Sequence, residues 1–276
     1  MSSGKKFRQA LAENNPLVIP GAINAYSAIL AEQSGHKALY LSGGGVAAAS
    51  YGIPDLGITT MEDVLIDVRR ISNASSLPLL VDIDTGWGGA FNISRTIKEM
   101  IDAGAGAVHM EDQISQKRCG HRPNKSLVSS EEMQDRIKAA VDGRHDESFF
   151  LMARTDAIAS EGINAAIDRA SAYVEQGADG IFLEAATSLE EYKTFKQHIK
   201  TPLLANITEF GKTPLFTKDQ LGDVGVDMVL FPLTAFRAMS KAAEKIYISL
   251  AKDGTQDGLL DIMQTREELY LSLIHI

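Results

Sequence analysis

The stretch AGAGAVHME, residues 103–111, reads as the end of one helix followed by one buried strand. Gly104 can take the left-handed conformation that stops a helix, and the apolar run behind it ends on a charged residue, Glu111. The same junction recurs as QGADGIFLE at 176–184 and VGVDMVLFP at 224–232, a weak internal repeat. Seven residues beyond Gly35, Gly104, Gly177 and Gly225 stand Ser42, Glu111, Glu184 and Pro232, each at the C-terminal end of an expected strand.

Working outward, eight short apolar runs predict strands: around 18–20, 38–41, 79–83, 107–111, 149–153, 180–184, 203–206 and 228–231. Helix-period segments separate them, three opening on capping-box spacing at Ser129-x-x-Glu132, Ser188-x-x-Glu191 and Thr217-x-x-Gln220. Strands alternating with helices imply a parallel sheet, and eight such pairs imply an α/β chain folded as one (β/α)8 barrel of TIM type over residues 1–276. Polar residues end further strands at Asp82, Asp84, Arg154 and Asn206, on the face where such barrels hold their active sites. An open doubly wound sheet would instead gather its ligands at one crevice.

With 36 acidic against 27 basic residues and a formal net charge of -9, the composition argues against nucleic acid as the main partner. No apolar run reaches the roughly 20 residues needed to span a bilayer, so no membrane partner is expected. A single cysteine permits no intramolecular disulfide, and the N-terminal residues lack the apolar core of a signal peptide, which together suggest a cytoplasmic protein.

Against that acidic background, residues 117–125 reverse the sign: Lys117, Arg118, His121, Arg122 and Lys125 surround Cys119. Cations lower a thiol's pKa, making Cys119 a candidate nucleophile or proton-transfer group and its loop a site for a small anion. Residues 112–128 form the longest expected connection and read as an active-site lid. Asp82 and Asp84, two apart on a strand, should share a face; as hard oxygen donors they suit Mg2+ or Mn2+, with Glu111 completing the outer shell. Ser42-Gly43-Gly44-Gly45 can bring bare amides to a carboxylate or phosphate. Arg154 and Arg237 can grip carboxylates, while Phe182 and Leu230 can line an apolar pocket. Together these residues describe chemistry on a small polycarboxylate.

The motifs KRCGH, VDIDTGWGG, HMEDQ, FLMARTDA and NITEFGKTP together resemble the 2-methylisocitrate lyase family, within the isocitrate lyase and phosphoenolpyruvate mutase superfamily. The resemblance runs from about Pro20 to Tyr270; isocitrate lyases typically read KKCGH and are much longer, and the mutase branch lacks the cysteine run. It implies a homotetramer, a dimer of dimers, with C-terminal helices swapped between subunits, Mg2+ as cofactor, and cleavage of 2-methylisocitrate to pyruvate and succinate in propionate breakdown. By matching positions, it implies that Asp82 and Asp84 hold the metal, directly or through water. Ser42, Gly43, Gly44, Cys119, Gly120, Arg154, Glu184, Asn206, Ile207, Thr208, Arg237 and Arg266 would contact substrate, and Phe182 and Leu230 would make room for the extra methyl group.

The implied reaction is a reverse aldol-type cleavage in which Cys119 donates a proton, His121 belongs to the same catalytic run, and Tyr40 is a candidate base. Residues 234–276 read as a C-terminal helical extension ending in LSLIHI, where members of the family continue further. Two competing readings are a superfamily enzyme acting on isocitrate, oxaloacetate or a phosphonate, and a non-catalytic ligand-binding barrel.

Overall fold

The computed structural model describes residues 1–117 and 125–274. Among these lie eight strands: β1 (Leu17–Pro20), β2 (Leu39–Leu41), β3 (Leu79–Asp82), β4 (Ala107–Glu111), β5 (Phe150–Thr155), β6 (Gly180–Leu183), β7 (Leu203–Asn206) and β8 (Met228–Phe231). They pair in parallel in the order β1-β8-β7-β6-β5-β4-β3-β2, with helices between them. The last gap, between β1 and β2, is bridged at Gly21 and Tyr40, and the Ala22 N–H donates to the Tyr40 carbonyl at 2.8 Å. A side chain at Gly21 could not be housed there, since a Cβ would lie 1.8 Å from the Pro232 carbonyl oxygen. The fold is the expected (β/α)8 barrel.

Alternation along each strand sends one set of side chains outward under the helices and the other inward. Leu39, Leu41, Val81, Val108, Met110, Leu151, Ile181 and Leu183 belong to the outer layer. Ile19, Tyr40, Leu80, Ala107, Met152, Phe182, Leu204 and Leu230 fill the interior, closed below by Phe7 from the N-terminal helix Ser3–Glu13. The Phe7 and Phe150 ring centroids are 5.3 Å apart, and burying each such ring contributes about 1.5–3 kcal/mol. One step further up the strands the inward set turns polar: Leu80 gives way to Asp82, Met152 to Arg154, Phe182 to Glu184, and Leu204 to Asn206. The barrel thus has an apolar floor and a polar mouth.

Gly35, Gly104, Gly177 and Gly225 have φ of +90°, +98°, +106° and +88°, the helix-stopping conformation their positions called for. Ser188 with Glu191 and Thr217 with Gln220 form reciprocal capping boxes. Ser129 caps its helix too, but Glu132 does not reach back; its carboxylate takes Arg136 at 2.6 Å instead. The C-terminal part comprises the helices Thr234–Asp253 and Arg266–Leu273 with a 3-10 turn between. The last helix leans on Ala25–Gln33 of the same chain, where Tyr26 and Ser272 hydroxyls meet at 2.7 Å. Among the described residues, no helix is long and apolar enough to cross a membrane.

Candidate active site

Asp82 closes β3 pointing into the mouth, and its Oδ2 accepts the Gly43 N–H at 3.2 Å. Asp84 reaches the same place by another route. It lies past the strand with φ +48°, a left-handed turn rather than a second strand position, and its N–H donates to Asp82 Oδ1 at 3.0 Å. The expectation that both share a strand face is therefore corrected, while the convergence stands: a Cβ on Gly43 would sit 3.1 Å from Asp82 Oδ2 and 3.2 Å from Asp84 Oδ1. The glycine run is the first turn of helix Gly43–Tyr51, with Ser42 as its N-cap, not a free nest. A side chain at position 43 would crowd both carboxylates where that helix comes down onto them.

The two acids differ sharply. Burial opposes ionisation of Asp82, yet the facing His109, Lys117 and Arg154 and the Asp84 N–H hold it at about 2. Burial pushes Asp84 up to about 6 against the pull of Lys117, with Asp82 and Asp55 repelling its charge. Lys117, read from sequence only as part of a cationic run, is buried beneath the mouth. Its Nζ stands 2.7 Å from Asp84 Oδ1 and 2.5 Å from Asp55 Oδ1. Burial disfavours that ammonium, but Asp84, Glu111, Asp82 and Asp55 hold it firmly charged. Asp55 had no signal in the sequence.

Arg154 is buried near the end of β5 and is gripped from just beyond that strand: Nε donates to Asp156 Oδ2 at 2.9 Å and Nη2 to Oδ1 at 3.2 Å. Glu111 lies 3.3 Å from Nε, Glu184 3.7 Å from Nη2, and the guanidinium sits 5.0 Å above the Phe182 ring. Lys125 also pairs with Asp156, at 2.6 Å, and Asp112 holds the Asp156 N–H at 2.9 Å. Asp156 went unnoticed, although its i+2 spacing from Arg154 placed both on one side of the chain.

Below Asp82, Tyr40 and His109 stack at 5.7 Å, and His109 meets Phe182 edge-on at 5.0 Å. The Tyr40 hydroxyl is 2.9 Å from His109 Nε2 and 3.5 Å from Asp82 Oδ2. Burial takes the imidazole down to about 4, Asp82 opposing, so the ring is neutral at pH 7. Donation from Nε2 to Tyr40 frees the phenol hydrogen for Asp82. Burial, and then the Asp82 charge, push the phenol well above its ordinary range.

Tyr40, Asp82 and Arg154 border a cavity of about 520 Å³ that Ser42, Gly44, Asp55, Lys117, Phe182, Glu184, Asn206, Thr208 and Arg237 also line, with Asp84, His109 and Glu111 set behind its wall. Arg237 is half-exposed at the rim, with Nε 3.5 Å from Glu209 Oε2 and its guanidinium 5.8 Å from the Phe210 ring. Several expected residues stand elsewhere. Ile207 is buried in the outer core and Leu230 in the interior, so neither reaches the cavity wall. Arg266 borders a separate groove on the C-terminal helix of its own chain. Cys119, Gly120 and His121 lie outside the described residues. The limbs of their loop are clasped to each other, with Ile114 N–H donating to Ser126 O at 3.0 Å and Val128 N–H to Asp112 O at 2.9 Å.

Hard oxygens dominate the mouth, as a divalent cation of the Mg2+ kind requires. Apart from the Lys117 ammonium on Asp84 Oδ1, that oxygen and Glu111 Oε1 are buried and accept no hydrogen bond within the described residues. Asp82 and Asp84 fit a metal. Glu111 is turned to Arg154 rather than toward the pair, and no three Asp, Glu, His or Cys side chains among the described residues form a ready-made ligand set. Two carboxylates with water and substrate oxygens completing the shell is the arrangement Mg2+ ordinarily takes.

The profile of the family described as phosphoenolpyruvate phosphomutase matches residues 7–251. The chain is 63% identical over 269 residues to the 2-methylisocitrate lyase of Shewanella oneidensis, covering 98% of this chain and 92% of that one. It is 59% identical over 273 residues to the 2-methylisocitrate lyase of Escherichia coli K12, covering 99% and 92%. Among solved structures it is similar to 2,3-dimethylmalate lyase, a member of the phosphoenolpyruvate mutase/isocitrate lyase superfamily, with TM-score 0.92, 34% identity and coverage of 99% and 91%. It is also similar to oxaloacetate acetylhydrolase in complex with the inhibitor 3,3-difluorooxalacetate, with TM-score 0.91, 34% identity and coverage of 98% and 93%.

Proposed function

The chain belongs to the phosphoenolpyruvate phosphomutase family, and from that membership and the geometry of the mouth we propose that it cleaves 2-methylisocitrate to pyruvate and succinate. The observation that carries the reading is that Asp82 and Arg154 line one cavity, an acidic seat for a cation and a cationic seat for a carboxylate within the same space. When bound at Asp82 and Asp84, Mg2+ supplies Lewis-acid stabilisation of negative charge on the substrate's hydroxyl and adjacent carboxylate oxygens.

The protein's own groups do the rest. Ser42, at the N-cap, and Gly44, in the first turn of helix Gly43–Tyr51, offer a hydroxyl and an N–H to a substrate carboxylate. The hydroxyl proton passes to a carboxylate of the cavity wall: Asp82 serves the metal, while Asp55, Glu184 and Glu209 each face a cation, Lys117, Arg154 and Arg237 respectively. Tyr40, with its phenol held protonated, acts as a hydrogen-bond donor to Asp82 rather than as the base. As the hydroxyl oxygen becomes the pyruvate carbonyl, the C2–C3 bond breaks and its electron pair passes to the succinate half, delocalised into the neighbouring carboxylate. Arg154 and Arg237 stabilise that charge, and Cys119, with His121 beside it in the sequence, delivers the proton that completes succinate. Phe182 sets the apolar boundary against the 2-methyl group.

Residues 112–128 act as the lid in this reading, and the chain assembles as a cytoplasmic homotetramer. Tyr247 and Leu271, 71% and 72% exposed on the C-terminal helices, support burial against further copies, from which Arg266 could reach a neighbouring site. The test is pyruvate release from 2-methylisocitrate with Mg2+ and with a chelator, isocitrate being assayed separately for glyoxylate. Mg2+-dependent pyruvate with little glyoxylate is the expected result; glyoxylate as the main product would move the assignment to isocitrate cleavage.

A further inference from the structure

The ammonium of Lys117 stands on Asp84 Oδ1, the oxygen that direct coordination of a metal by Asp84 would require. It is 2.7 Å from Asp84 Oδ1, a buried atom that takes no other hydrogen bond among the described residues. A divalent ion of the Mg2+ class binds carboxylate oxygen at about 2.1 Å, so an ion and this ammonium sharing Oδ1 would be no more than about 5 Å apart. In a buried setting two cations so placed repel strongly, because little water screens them. Lys117 has a second seat: Asp55 Oδ1 is 2.5 Å away, on a side chain 29% exposed against 6% for Asp84.

We propose that Lys117 is the resident counter-cation of the metal site and trades places with the divalent ion, leaving Asp84 for Asp55 when the site is loaded. The proposal rests on Asp82 and Asp84 being the metal position. Lys117 neutralises a cluster of carboxylates that would otherwise repel one another in the metal-free protein, and it therefore holds metal affinity down.

Calorimetric titration of MgCl2 into metal-free wild-type, Lys117→Met and Lys117→Arg proteins near pH 7.5 tests this without reference to turnover. Lys117→Met should bind Mg2+ at least about tenfold more tightly than wild type, and Lys117→Arg should stay close to wild type. Equal or weaker binding by Lys117→Met, with wild type still binding, overturns the exchange and leaves the metal position intact. No binding by wild type overturns both. Should Lys117→Met fail to fold, acylation of Lys117 in wild type, followed by mass spectrometry, decides the same question. Mg2+ should speed labelling severalfold as the amine leaves its buried partner; unchanged or slower labelling overturns the proposal.

Discussion

The backbone N–H of Asp84 donates to the side chain of Asp82 at 3.0 Å, so the first carboxylate of the pair sets the second in place. The same contact helps split their acidities, one held near 2 and the other near 6. Below about pH 6 a metal must displace the Asp84 proton, and Mg2+ affinity should fall about tenfold per pH unit there. Folding raises this carboxyl from 3.8, so its contribution to the stability of the metal-free protein is full below pH 3.8 and lost as pH rises through about 6. Calorimetry between pH 5 and 8 checks the affinity; an unchanged constant would refute the assignment.

Gly43→Ala puts a methyl group into the space between the two carboxylates, where its contacts would be 3.1 and 3.2 Å. The change suits the helix, which gains up to about 1 kcal/mol from losing a glycine. Metal binding should weaken by more than tenfold and turnover fall with it, while the melting temperature stays level or rises. A large drop in melting temperature would mean the residue is structural instead.

Arg154→Gln removes the cation that faces Asp156, Glu111 and Glu184, all of them buried. Removing one partner of this buried ion cluster should cost about 3–5 kcal/mol in urea unfolding, Lys125 remaining on Asp156, in addition to abolishing activity. Arg154→Lys retains the charge but not the two-point grip on Asp156, so it should recover much of the stability and little of the turnover.

Glu191→Ala should lower stability by about 0.5–1 kcal/mol, because its carboxylate closes a capping box. Glu132→Ala, at the same spacing from its serine, should cost under about 0.5 kcal/mol, since that side chain serves an exposed pair with Arg136. Thermal melts of the two variants side by side decide the point.

The contrast between those glutamates marks where sequence reading stops. Strand positions and helix stops were legible because they are local: a glycine after a helix and a short continuous apolar run need no knowledge of the rest of the chain. Asp82, Arg154, Glu184 and Asn206 were found because a barrel strand must end at its mouth. Asp84 was found for the wrong reason, its turn being invisible in the spacing. Lys117 read as one of the cations of an anion-binding loop, and only the fold brings it onto Asp84. Asp55 and Asp156 matter through partners 62 and 31 positions away in Lys117 and Lys125, which no motif records. His109 could have been caught, since it alternates with Glu111 on β4 and so also faces inward.

The ring of strands is fastened at Gly21, against the backbone of Tyr40 and beneath the carbonyl of Pro232. A random-mutagenesis screen for lost activity will therefore score position 21 beside the residues that touch substrate, although it offers no side chain to anything. Its damage would be transmitted as a spread staple, shifting Tyr40 under Asp82 while leaving every reacting group chemically whole. On a map of sensitive positions the site will look larger than it is, stretched along the line where the sheet meets itself.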